Sequence, residues 1–166
     1  MNRQQAQERF TKRITHALIF RLFLLQKLPL ACIAGLRVEK LTTEHCSISI
    51  PYRWLTQNPF RSIYFAAQAM AAEMSTGILS MMAIQGCDPP LSMLVTNIEA
   101  VFLKKANARV YFTCADWVLI SEAVEQAIKT NEGVTVRAKS TGILADGTPV
   151  AEFYITWSFK PKTIKH

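Results

Sequence analysis

A single acid, Glu73, sits in the run from Asn58 to Ile84, which is otherwise built of apolar, small and neutral polar residues with one arginine, Arg61. A carboxyl group among apolar side chains ionises less readily than in water. Its pKa moves up toward the range in which a general base works at neutral pH. Upstream, Asn58-Pro59 favours the start of a turn, and Tyr64, Phe65 and Ala66 precede the acid by about two helical turns. At helical spacing Ser62, Ala66, Ala69, Glu73, Thr76, Gly77 and Ser80 share one small or polar face, and such a face around a lone carboxylate predicts a crevice. Plainer assignments of the same residues stand beside this one. Glu73 is then a buried acid held by Asn58, a backbone group or a facing subunit, Asn58 a turn residue, and Tyr64 a packed aromatic.

Other chemistries find fewer parts. The chain has no G-x-S-x-G and no glycine-rich phosphate loop, and His16, His45 and His166 are far apart, which argues against a Ser-His-Asp nucleophile. Cys32, Cys46, Cys87 and Cys114 form no C-x-x-C pair and stand at no metal-ligand spacing from a histidine. The expectation is reduced thiols, no metal, no cofactor and a cytoplasmic setting.

The elements that must position Glu73 follow from periodicity. From Ile63 to Ile84 there is no proline and one glycine, with many Ala and Met, so a long helix is predicted. Its apolar residues fall on every side, as in a core helix, while Gln68, Glu73, Ser75, Thr76, Ser80 and Gln85 oppose a membrane span. Strands are predicted over residues 33–41, 44–52, 91–103 and 108–114, with Leu94, Thr96, Ile98, Ala100 and Phe102 on one side of the third. A short amphipathic helix covers Trp117–Lys129. Val134, Val136 and Ala138 then alternate with polar residues before the Asp146-Gly147 turn, and the return strand puts Ala151, Phe153, Ile155, Trp157 and Phe159 on one face.

The 166 residues suffice for one domain with a core. The net charge of +7 is uneven, because residues 1–40 carry eight basic and two acidic residues, residues 160–166 carry three lysines, and the remainder is net negative. Charge at the ends without interleaved aromatics argues against nucleic-acid binding. Residues 4–28 begin basic and become apolar at Ala17–Leu28, and Pro29 is expected to end that helix. The run is too short and interrupted to span a bilayer. The expectation is a helix packing its apolar end on the domain near the crevice, with a weak membrane-surface contact through the same residues as the alternative.

This order of elements resembles the hotdog fold of acyl-CoA thioesterases over roughly residues 30–160. More narrowly, the chain resembles the uncharacterised thioesterase-like (DUF4442-like) hotdog proteins, near the phenylacetate-type thioesterases. In the phenylacetate-type branch the motif is N-x5-H-G-G-x6-[DE]; Asn58, Tyr64, Phe65, Ala66 and Glu73 fall on its spacing, with Tyr64 in place of His and Phe65-Ala66 in place of Gly-Gly. The resemblance implies an α+β fold, a curved antiparallel sheet of about five or six strands wrapped around the central helix. The expected division is an N-terminal amphipathic helix, 1–29, and a hotdog domain, 30–166, expected to assemble as a homodimer at least. It also implies an acyl-CoA thioesterase in which Glu73 is the base, Asn58 positions it or its water, and Tyr64 donates to the substrate. The N–H groups around Phe65 and Ala66 hold the thioester oxygen, and Lys104 and Lys105 grip the coenzyme A phosphates, their plainer reading being a solvated turn. A non-catalytic acyl- or lipid-binding hotdog protein is the alternative. Hotdog dehydratases usually place a histidine near the acid, and the stretch has none.

Overall fold

The computed structural model describes residues 2–162; Lys165 and His166, counted above with the basic tail and the histidines, lie outside them. Three helices come first, α1 (Arg3–Thr15), α2 (Ala17–Lys27) and α3 (Pro29–Ala34), followed by strands β1 (Arg37–Leu41) and β2 (Cys46–Ile50). The long helix α4 (Phe65–Ala83) leads to β3 (Leu91–Phe102), β4 (Val110–Cys114), helix α5 (Trp117–Thr130), β5 (Val134–Leu144) and β6 (Pro149–Pro161). The six strands form one sheet in the order β1-β2-β4-β5-β6-β3, with every pair antiparallel.

Helix α4 lies across β2, β4, β5 and β6, and Ala67, Ala71, Ala72, Ile78, Leu79 and Met82 are buried. A helix apolar all round loses little by facing protein on most sides, which is why it forms the axis of the core. The return strand behaves as its alternation predicts: Ala151, Phe153, Ile155, Trp157 and Phe159 of β6 are all buried. Gly142 lets β5 approach Phe112 of β4, since a Cβ there would stand 2.5 Å from the Phe112 ring.

The edge strand β3 departs from its predicted face. A bulge at Thr96 shifts the register between Val95 and Asn97, so Val95 pairs with Trp157 and Ile98 with Ile155. One extra residue inverts the alternation. Leu94 therefore lies on the opposite face from Ile98, Ala100 and Phe102.

The N-terminal segment is three helices rather than one. His16 is extended (φ −77, ψ 106) and its ring caps α2 by accepting from Ile19 N, which breaks the expected single helix. Pro29 starts α3 instead of ending structure, as a proline at the first helical position does. Gly35, left-handed at φ 80, ends α3, so residues 33 and 34 are helical and the strand begins at Arg37. Only Phe20 and Leu24 of α2 are buried. Helix α1 packs on the far end of α4, where Arg3 Nη2 donates to Ala83 O (2.8 Å) and Thr11 Oγ1 meets Met82 Sδ (3.3 Å). The polar lead of the segment thus lies at the C-terminus of α4, where a cation suits the carbonyl end of the helix, and the apolar run packs on the domain through Phe20 and Leu24.

Candidate functional site

Asn58 organises the loop ahead of α4. Its Oδ1 accepts from Phe60 N (3.0 Å), Ser62 N (3.2 Å) and Ser62 Oγ (3.2 Å), while Asn58 N donates to Ser62 O (2.8 Å). This side chain-to-backbone turn is what Asn is suited to, and it aims the chain into the helix. Among the described residues Asn58 makes no hydrogen bond to Glu73.

Tyr64 is the N-cap of α4, extended at φ −59, ψ 137, and its side chain makes no capping bond. Its carbonyl accepts from Ala67 N and Gln68 N. The N–H groups of Phe65 and Ala66 have no acceptor among the described residues, as expected for the first turn of a helix without a side-chain cap. The Tyr64 and Phe65 rings meet edge to face at 4.7 Å and both are exposed. Asn58, Tyr64, Phe65, Lys104 and Lys105 line one cavity of about 660 Å³, together with Phe102 and the buried Gln68. Ala66 and Glu73 do not line it.

Gln68 was not singled out as a site residue from the sequence. Its Nε2 donates to Ile63 O (3.0 Å), whereas its Oε1 is buried with no partner among the described residues. A buried acceptor left unpaired costs about 1–3 kcal/mol, and the residue that carries it is one of those lining the cavity. The legible signal was a glutamine one turn inside an apolar helix; the burial of its oxygen without a partner was not legible.

Glu73 lies about 12 Å further along the helix axis than Phe65. It belongs to a half-buried stripe with Ala66, Ala69 and Met70, the part of α4 that its own sheet leaves uncovered. The predicted crevice face is shorter than its spacing suggested. Thr76, Gly77 and Ser80 are buried; Trp157 closes over the first two, its Nε1 donating to Thr76 Oγ1 (2.9 Å) and its ring lying 3.1 Å from where a Gly77 Cβ would stand. That Cβ position is also 3.2 Å from Glu73 Oε1. Burial holds the Glu73 carboxyl above the ordinary glutamate range, and it has no side-chain hydrogen-bond partner among the described residues. Burial also pushes Cys46 and Cys114 up, Cys114 to about 12, so these facing thiols of β2 and β4 stay protonated and are not nucleophiles at neutral pH.

The family model described as a domain of unknown function (DUF4442) matches residues 16–159. The chain belongs to the DUF4442 family. No curated protein sequence matches it significantly. Among solved structures, the DUF4442 chain is similar to a Pseudomonas aeruginosa protein of unknown function described as a probable thioesterase, at 16% identity and a TM-score of 0.74, covering 90% of this chain and 99% of that one. A putative thioesterase from Shewanella oneidensis aligns at 12% identity and 0.72, over 93% and 99% of the two chains. A Haemophilus influenzae thioesterase aligns at 12% and 0.59, over 87% and 91%. At these identities the likeness establishes the fold, a hotdog. Among the described residues no helix is long and apolar enough to cross a membrane.

Proposed function

We propose that this DUF4442 protein is an acyl-CoA thioesterase working as a homodimer, with each site shared between two chains. The observation that carries the reading is Glu73, a carboxyl held above its usual pKa on the one stripe of the core helix that its own sheet does not cover. On one chain it is about 12 Å from the free N–H groups of Phe65 and Ala66, too far for both to act on one carbonyl. A second chain resolves the distance, and β3, with one long edge unpaired in the chain, is a strand ready to meet it.

Glu73 of one chain takes a proton from water, and the resulting hydroxide adds to the thioester carbon. The oxyanion is held by the Phe65 and Ala66 N–H groups of the other chain. The C–S bond then breaks, and the thiolate leaves with the proton that Glu73 returns. Asn58 positions the helix start, Tyr64 donates to the substrate, and Lys104 and Lys105 hold the phosphates of the carrier arm. Residues 1–29 are an addition to the hotdog domain of 30–166, and the protein works in the cytoplasm, where its cysteines stay reduced.

A free-thiol assay over acyl-CoA chain lengths tests this reading. Glu73→Ala should lower turnover about 10²- to 10⁴-fold. Phe65→Pro removes one N–H at a position where proline fits, since Tyr64 is already extended. It should lower turnover well below Phe65→Ala, which keeps the N–H. Turnover indifferent to Glu73 sinks the mechanism. The substitution of His-Gly-Gly by Tyr64-Phe65-Ala66 favours one other reading, acyl binding without hydrolysis, and saturable acyl-CoA binding with no thiol released would select it.

A further inference from the structure

We propose that the helices α2 and α3 form a docking surface for an anionic bilayer, with an arginine-lined cleft beside them that takes a phosphate headgroup. The inference is independent of the hydrolase reading. Leu18, Leu22, Leu25, Leu30 and Ile33 are each more than half exposed. Leu18, Leu22 and Leu25 form a stripe on the side of α2 roughly opposite Phe20 and Leu24, which are buried in the core. An apolar patch of this kind on a soluble chain marks a contact surface.

Charge selects the contact. No acidic residue lies between Glu8 and Glu39, while Arg9, Lys12, Arg13, Arg21, Lys27 and Arg37 do. A twofold contact would set this patch against its own copy, cation against cation. An anionic membrane surface is complementary to it instead, the aliphatic stripe entering the acyl boundary while the basic side chains meet headgroups.

The cleft gives that contact a specific feature. A cavity of about 610 Å³ lies between α2 and β1, lined by Arg21, Arg37, Arg53 and Arg109 over the buried Phe20 and Leu24. Arg21 joins the two parts, because it stands one turn from both Leu18 and Leu25 and also lines the cleft. Arg53 Nη2 donates to Ile33 O, tying the cleft wall to the exposed end of α3. One acid, Glu39, lines the same space; it accepts from Ser49 Oγ (2.5 Å), which in turn accepts from Arg109 Nη1 (3.0 Å). Four guanidinium groups over an apolar floor suit a phosphodiester carrying acyl chains, since the guanidinium fork matches phosphate oxygens.

Co-sedimentation of the full chain with vesicles of phosphatidylcholine alone, or mixed with phosphatidylglycerol, tests the proposal. Binding is expected on the mixed vesicles only, weakening as salt rises. Arg21→Gln with Arg37→Gln should reduce it about fivefold per charge, and Leu22→Gln with Leu25→Gln about tenfold or more. All four positions are exposed, so melting temperature, mass by light scattering and hydrolysis of a short water-soluble acyl thioester should stay at the parent values. A chain that stays in the supernatant, or binds both vesicles equally, overturns the proposal. A leucine variant that halves the solution mass overturns it too, by making the patch a contact between copies.

Discussion

Strands β6 and β3 are neighbours of nearly equal length, paired along almost all of it, yet they end in opposite environments. Phe153, Ile155 and Phe159 of β6 are at most 1% exposed, whereas Ile98 and Phe102, on the same sheet face of β3, are about half exposed. Composition does not separate them, since both are rich in large apolar residues. Position does. Strand β6 has β5 on its other side and α4 over it, while β3 has an open edge and little above it. A strand with apolar residues and no second neighbour is one whose burial awaits completion from outside the chain.

The contrast can be broken most forcefully at Trp157. Trp157→Ala removes a buried aromatic and the bond to Thr76, so urea unfolding should show a loss of about 3–5 kcal/mol. The same change opens the surroundings of Glu73 and should bring its carboxyl back toward ordinary values, read from the acid limb of a pH–rate profile. On β3 the effect divides differently. Ile98→Asp should cost the single chain only about 0.5 kcal/mol, as at other exposed sites, while light scattering should show the assembly reduced to monomer. An unchanged dimer would place the contact on another surface.

The smallest effect concerns Glu73 itself. Its folded pKa is raised, so the folded chain holds the proton more tightly than the unfolded one. Stability from this group is full below the ordinary glutamate pKa and falls as pH rises through the folded value. Glu73→Gln should therefore match the parent chain in acid and exceed it in stability near neutrality, measured as melting temperature against pH. A parent curve that rises across that window instead would mean that Glu73 has found a cation.

Periodicity made the core legible because α4 and β6 are buried by their own chain. Residues Phe65–Ala83 lie within the predicted helix, and the alternating residues of β6 all point inward. The bulge at Thr96 was not legible, since a strand read alone has no partner to count against, and one unpaired residue reassigns Leu94 to the other face. The N-terminal breaks turn on His16 and Pro29, whose capping roles depend on backbone angles rather than on residue type. At the site, the spacing of Asn58, Tyr64, Phe65 and Glu73 was visible as a pattern. The packing of Trp157 over Thr76 and Gly77, and the unpaired oxygen of Gln68, come from tertiary contacts that no local pattern records.

The separation of Glu73 from the start of its own helix has a genetic meaning. If each chain lends its acid to its partner and borrows the partner's helix start, two chains with different defects can repair one another. Glu73→Ala and Phe65→Pro chains, each weakly active alone, should regain part of the parent turnover when unfolded and refolded as a mixture. A mixed pair holds one site with both losses and one with neither. With random pairing about half the dimers are mixed and each keeps one of its two sites, so recovery should approach about a quarter of the parent rate. Sites complete within one chain would give no recovery.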